Sequence, residues 1–316
     1  MNNVQVHSLE MMKIQENHNK ISEIVNGNDV VYLDIPVHDN FGDLLIMMGT
    51  LKFFKKKKII PKFIFSAHNF MPRALCNNDI LVFHGGGNLG DLYSFHQNHR
   101  EEVIGEFLDN RIVILPQTIH YKSDVEYQKT CKIFKKHNDL HVCVRDKKSY
   151  DLALGMTDKV YLMPDMAHHL YPVLPSADPV KSTLLLNRMD IEAIDFKFDE
   201  GFDDETDWSI LLKNKKWKIN GYIRLQKIIK LFGFNKYLSQ WINKKWIEFS
   251  KVLLVEVTSY YSKYDSIITT RLHGHIFSCL MNKKSVVFDN SYGKNSAYYD
   301  LWTKKSPITE IKGRAR

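Results

Sequence analysis

Long apolar runs are missing from this chain of 316 residues. Nowhere do the roughly 18 apolar residues of a spanning helix follow one another, and the most apolar stretches, 80–83 and 251–257, have the size of strands. The first residues, Met1 to Ile14, scatter their apolar side chains among Asn, Gln, His, Glu and Lys, without the continuous apolar core of a signal peptide. A cytoplasmic location is therefore expected. Cysteine is scarce: Cys76, Cys131, Cys143 and Cys279 form no CxxC pair, which points to reduced thiols rather than a disulfide framework or a zinc site. The adjacent His168 and His169 cannot share one helical face, and no metal and no bound cofactor are expected. Neither GxGxxG nor a P-loop occurs, so no nucleotide-binding fingerprint can be transferred. Acidic residues are missing from one long stretch, 208–247.

What is present belongs to a globular α/β protein. Apolar residues make up 44% and charged residues 25% of a chain longer than one core usually supports, so two domains are the natural reading. Short apolar runs at 30–35, 59–65, 80–83, 111–115, 141–144 and 161–163 alternate with helix-like spacing such as 44–54, which implies a parallel sheet covered by helices. Three prolines between Tyr171 and Pro179 mark an interdomain connector. Strands at 183–186, 266–269 and 285–288, with a helix at 274–281, restore the alternation, while 190–207 reads as a loop. The expected architecture is two Rossmann-like domains, residues 1–172 and 180–316, facing each other across a cleft, with a basic amphipathic insertion at 209–247 in the second.

Chemistry gathers where strands give way to helices. Gly85, Gly86, Gly87 and Asn88, followed by Gly90 and Asp91, remove the side chains that would keep a ligand from backbone amides; a tight crossover is the alternative. Asn40 and Asp43 flank another such turn, where helix capping competes with ligand contact. Arg145 ends one strand and Asp165 another, at the sheet edge that faces the crevice in open α/β folds, and an ion pair is the rival account of each. Arg271, Leu272, His273 and Gly274 place a guanidinium, an imidazole and a turn-permitting glycine before an apolar helix. That suits an anionic substrate undergoing proton transfer. Lys294, in the loop from Asn290 to Asn295, adds a cation that could close on an anion.

In their order along the chain these segments resemble the polysaccharide pyruvyl transferase family, from about Val30 to Trp302. They are NFGD at 40–43, GGGNLGD at 85–91, LPQTI at 115–119, VRDKKSYDLA at 144–153, PD at 164–165, and the run from Arg271 to Asn295. The resemblance implies a two-domain, GT-B-like enzyme that takes phosphoenolpyruvate as donor and a sugar, free or lipid-linked, as acceptor in building a surface polysaccharide or capsule. It also implies that Arg145, Arg271, Leu272 and His273 match donor-binding positions. Gly274 and Lys294 are then expected beside the donor, and Asn40, Gly85, Gly86, Gly87, Asn88 and Asp91 beside the acceptor. His273 would serve as proton donor or phosphate ligand, and Asp43, Asp91 and Asp165 are the candidates for orienting or activating sugar hydroxyls. Gln117 and Thr118 stand where many relatives carry glycines, which leaves the acceptor open.

Two other readings fit the same shell: a glycosyltransferase using a nucleotide sugar, and a noncatalytic glycan- or anion-binding protein. The net charge of +8 is modest for this length and concentrated between Lys213 and Lys245. There Leu225, Ile228, Ile229 and Phe232 recur at helical spacing among lysines, with Trp217, Trp241 and Trp246 interleaved. This segment, 213–246, is expected to meet an anionic membrane on the cytoplasmic face rather than nucleic acid, a solvated helix packed on the second domain being the alternative.

Overall fold

The computed structural model describes residues 2–26, 29–189, 198, 201–233, 235–289 and 293–314. Two helices open the chain: α1 (Asn3–Glu16), capped by reciprocal bonds between Asn2 and Gln5, and α2 (Asn19–Ile24). All four residues of β1 (Val30–Leu33) are buried, as a Val-Val-Tyr-Leu run demands when both sheet faces are covered. Next come α3 (Phe41–Lys56), β2 (Phe63–Ile64), β3 (Ile80–Phe83), β4 (Gly86–Gly90), α4 (Ser94–Glu106), β5 (Ile112–His120), α5 (Asp124–Phe134), β6 (Leu140–Val144), α6 (Lys147–Leu154) and β7 (Val160–Leu162). They form one sheet of seven strands in the order β2-β1-β3-β5-β6-β7, with β4 on β5 and every pair parallel.

Residues 171–180 carry neither helix nor strand. Beyond them lie β8 (Lys181–Leu186), β9 (Asp204–Thr206), α7 (Trp208–Leu211), α8 (Lys216–Leu231), α9 (Lys236–Ser262), β10 (Tyr264–Thr269), α10 (Leu272–Leu280), β11 (Lys284–Phe288), α11 (Lys294–Tyr298) and β12 (Thr309–Gly313). The second sheet has five parallel strands in the order β12-β11-β10-β8-β9. The chain is thus an α/β protein with two parallel sheets, as the alternating pattern implies.

The two units share a core. Phe41, at the start of α3, packs against Trp208 of α7 and Phe277 of α10, with ring centroids 4.9 and 5.5 Å apart. Gly49 lets α3 lie directly on the chain at Met166, whose carbonyl oxygen would sit 2.2 Å from an added Cβ. From the amino end, α1 reaches across to the second unit, where the His7 ring bonds Ser306 Oγ at 2.7 Å and the Cys279 carbonyl at 2.8 Å.

Three sequence expectations need correction. Gly86–Gly90 is not a loop feeding a helix but a strand on β5, and α4 begins only after a 3-10 turn at 91–93. The stretch 190–207 is not all loop: most of it lies outside the described residues, but 204–206 forms β9. Residues 209–247 are not a free-standing insertion, since α9 runs on to Ser262 and seals the edge of the first sheet. Its Gln240 amide accepts from Ile64 N–H at 2.8 Å and donates to Ile64 C=O at 3.0 Å, in place of a neighbouring strand. Trp246 is buried, its indole N–H donating to Pro36 C=O at 2.7 Å, so it belongs to the core and not to any exposed face.

Candidate active site

Strand order positions the site. In the first sheet the chain runs outward in opposite directions from β1 and β3, and in the second from β8 and β10, so each sheet has a switch point at its carboxyl edge. The segments that leave these edges meet in a cleft of about 520 Å³. Its walls carry His38, Asn40 and Asp43 after β1, Gly87 and Asn88 after β3, Arg145 after β6, Arg188 after β8, and Arg271, Leu272 and His273 after β10; Asp207, Trp208 and Lys294 complete the second side.

Arg145 is buried and held from three directions. Its Nε donates to Thr118 Oγ1 at 2.8 Å, Nη1 pairs with the Asp165 carboxylate, and its backbone carbonyl accepts from the Trp302 indole at 2.9 Å. Among the described residues Nη2 has no hydrogen-bond partner. It points toward Gly87, where an added Cβ would lie 3.3 Å from Nη2 and 3.0 Å from Lys294 Nζ. A glycine here keeps open the space that a guanidinium and an ammonium face together. An unsatisfied buried donor beside a second cation is a ready seat for an anion.

Asp165 is fully buried and works from behind the cleft wall. Besides Arg145 it accepts from His273 Nε2 at 3.2 Å and from Ala167 N–H at 2.9 Å. Burial alone would raise its carboxyl, but His273, Arg145 and the amide outweigh that and hold it well below the usual carboxylate range. The expectation that it orients sugar hydroxyls therefore fails on geometry: its oxygens are committed to an imidazole, a guanidinium and an amide. Across the imidazole lies Gly42, where an added Cβ would stand 2.4 Å from His273 Nδ1. His273 is thus wedged between a buried carboxylate and the first turn of α3.

Arg271 precedes α10, and no side chain caps that helix. Its guanidinium pairs in bidentate fashion with Asp207, through Nε to Oδ1 and Nη2 to Oδ2, the latter at 2.7 Å. Gly274 does not reach the cleft. An added Cβ there would lie 2.5 Å from both Leu186 and Thr269, so this glycine lets α10 sit close on β8 and β10.

On the opposite side Asn40 caps α3, accepting from Gly42 N–H at 3.1 Å and donating to Asp43 at 2.8 Å, so capping and site placement coexist in one residue. His38 Nε2 lies 3.5 Å from Asp43 Oδ2. Gly85 and Gly86 lie behind Gly87 and do not line the cleft. Asp91 is displaced from it too: its Oδ2 accepts from the backbone N–H groups of Lys122 and Ser123, both at 2.7 Å, and so ties two loops together. Neither the acceptor contact nor the catalytic role expected of Asp91 fits that position. Lys294 opens α11 rather than sitting within a loop, and Asn290 to Tyr292, just before it, lie outside the described residues.

Several lining residues escaped the sequence reading. His96 lines the cleft and binds Asp34, Nδ1 to Oδ1 at 2.7 Å. Asp34 sits at φ 59, a left-handed conformation costly for a side-chain-bearing residue, and is buried against Arg100 Nη2 at 3.4 Å. Burial lowers the His96 imidazole, yet the Asp34 carboxylate more than offsets this and raises it above its ordinary value; burial lowers His38. The tight YLDIP corner after β1 was the one signal available in the sequence.

The cleft thus brings Arg145, Arg271 and His273 together at two switch points, and the comparison with known proteins decides the family. Residues 40–292 match the family described as "Polysaccharide pyruvyl transferase". This chain belongs to that family. It is 34% identical over 308 residues to the Bacillus subtilis protein named "Putative pyruvyl transferase EpsO", spanning 96% of this chain and 94% of that one. It is 25% identical to "Pyruvyl transferase 1" of Schizosaccharomyces pombe over 86% of this chain and 69% of the relative. Among solved structures, a functionally uncharacterized protein from Klebsiella pneumoniae matches with a TM-score of 0.60 at 22% identity, over 95% of this chain and 98% of that one; this likeness concerns the fold alone.

Proposed function

We propose that this member of the family transfers the pyruvyl group of phosphoenolpyruvate to two hydroxyls of a sugar, free or lipid-linked, forming a cyclic ketal in a surface polysaccharide. The observation that carries the reading is Nη2 of Arg145, buried, without a hydrogen-bond partner among the described residues, and aimed with Lys294 at the space over Gly87. Phosphoenolpyruvate brings two anionic groups on a three-carbon frame. Arg145 with Lys294 receives one, and Arg271, fixed in orientation by Asp207, receives the other with the uncapped amides of α10. Names given to the relatives point the same way.

The reaction balances without an added reactant. One hydroxyl attacks C2 as C3 gains a proton, the C2–O bond to phosphate breaks, and a second hydroxyl closes the ring. Of the two hydroxyl protons, one in net ends on C3 and the other leaves with phosphate. His273, whose Nε2 is engaged by Asp165, presents Nδ1 beside Gly42 and serves as proton donor or as ligand to departing phosphate. His38 with Asp43 faces the acceptor side, where a neutral imidazole held by burial can take a hydroxyl proton. A nucleotide-sugar transferase would place a diphosphate in the cleft, and a binding protein would turn over nothing. The separating experiment supplies phosphoenolpyruvate with glycosides bearing free or singly methylated hydroxyl pairs. The reading requires phosphate release that depends on a free pair, and release without an acceptor, or none at all, contradicts it.

A further inference from the structure

From the face of α8 turned away from the core we infer that the α8–α9 hairpin docks this protein on an anionic lipid surface, beside the mouth of the cleft. At roughly 100° per residue, Ile219, Gln226 and Ile229 form the stripe of α8 that the fold buries. Trp217, Leu225 and Ile228 form a second apolar stripe on another side of α8, and each stays about half exposed or more. Trp217 and Phe232 are 70% and 69% exposed, and at the hairpin tip Leu231 is 80%, Tyr237 70% and Trp241 54% exposed. A monomer rarely leaves so many large apolar side chains together in water.

Charge chooses the occupant. No acidic residue occurs from 208 to 247, and Lys218 and Lys227 flank the exposed stripe on either side. Cations bordering a Trp- and Leu-bearing face suit headgroup phosphates above an acyl boundary, whereas the same face on a second copy would set like charge against like. Among the described residues no helix is long and apolar enough to cross a membrane, so the contact is peripheral.

The hairpin also adjoins the cleft. Lys216 reaches Asp39, a lining residue, at 3.8 Å. Gln226 of α8 accepts from the Ser66 hydroxyl at 2.8 Å, Ser66 Oγ accepts from His68 N–H at 3.2 Å, and the His68 ring stacks at 4.9 Å on half-exposed Phe95, beside His96 of the cleft. A sugar carried on a membrane lipid would therefore reach the cleft from the surface to which the hairpin binds.

Sedimentation tests this with the full chain, phosphatidylcholine vesicles, and vesicles containing about a third phosphatidylglycerol. The parent should pellet with the anionic vesicles at low salt and lose most of that binding near 0.5 M salt, because screening weakens the headgroup attraction. A variant with Leu231→Ser, Phe232→Ser and Trp241→Ser should bind at least tenfold more weakly, while its melting temperature and its turnover of a soluble acceptor stay unchanged. An Arg224→Gln, Lys227→Gln, Lys230→Gln variant should lose the anionic preference. Vesicle binding is read without turnover, so its outcome is independent of the functional reading. No binding by the parent at low salt, or equal binding by the apolar variant, overturns the inference. So does a concentration-dependent dimer that the serine variant dissolves, which would assign the face to a second copy.

Discussion

The Nε2 of His273 lies 3.2 Å from the buried Oδ2 of Asp165, while its Nδ1 occupies the place where residue 42 would carry a Cβ. Two segments of the first unit therefore hold an imidazole of the second between them: the carboxylate comes from the segment after β7, the steric wall from the first turn of α3. Gly42→Ala should be tolerated by the helix, where alanine is the better former by about 1 kcal/mol, but it must push the ring aside. A displacement of about 1 Å costs turnover roughly a hundredfold. We expect an unchanged or raised melting temperature with kcat down by about that factor, and wild-type kcat in Gly42→Ala would show that the ring position is immaterial.

Asp165→Asn should harm both folding and catalysis, since it leaves the Arg145 guanidinium buried without its counter-charge. Breaking one partner of such a pair costs about 3 to 5 kcal/mol. Chemical denaturation of Asp165→Asn measures this; a loss under about 1 kcal/mol would mean that the pair does not anchor the site.

Arg271→Lys keeps the charge and loses the fork that matches Asp207 and an anion at once. A fall in kcat/KM for phosphoenolpyruvate by two to three orders of magnitude is expected, of the order found for a preorganised donor to developing charge. Activity near that of the parent would remove bidentate recognition from the account.

Much of this arrangement is legible in the sequence, and the reason is local. The strand-to-helix junctions at Arg145 and Asn40 follow from apolar runs ended by capping residues, that at Arg271 from one apolar run passing into an apolar helix, and the order of the motifs carries the family. What escapes is what only tertiary contact decides. Asp207 and Asp34 look like ordinary loop carboxylates until the fold sets Arg271 and His96 against them. Asp91 and Gly274 lie in the right motifs, but the chain turns Asp91 toward the 122–123 amides and spends Gly274 on helix packing. The segment 213–246 is amphipathic in two directions; the burial of Ile229 and Trp246 and the exposure of Phe232 and Trp241 separate the two faces.

Acid should unfold this protein early. Burial holds the imidazoles of His18 and His84 at about 4 and those of His168 and His275 at about 3, against 6.5 for an ordinary histidine. The unfolded chain therefore binds protons at these sites first. The stability linked to them is fully present above about pH 6.5 and is lost as pH falls toward the folded values, by up to about 1.4 kcal/mol per pH unit for each group. Asp34 and Asp165, both depressed, act in the same direction below about pH 4. Melting temperatures should hold steady from pH 8 to 7 and drop steeply from 6 to 4; a flat profile across pH 7 to 5 would contradict the neutral buried state of these rings.

The central claim is pyruvyl transfer, and the mass of the acceptor tests it most directly. Incubation with phosphoenolpyruvate and a reporter glycoside should add about 70 Da to the glycoside, the donor less phosphoric acid, with one phosphate released per product as the two-hydroxyl reaction requires. An unchanged acceptor, or a hexose-sized gain that depends on a sugar nucleotide instead of phosphoenolpyruvate, would contradict it.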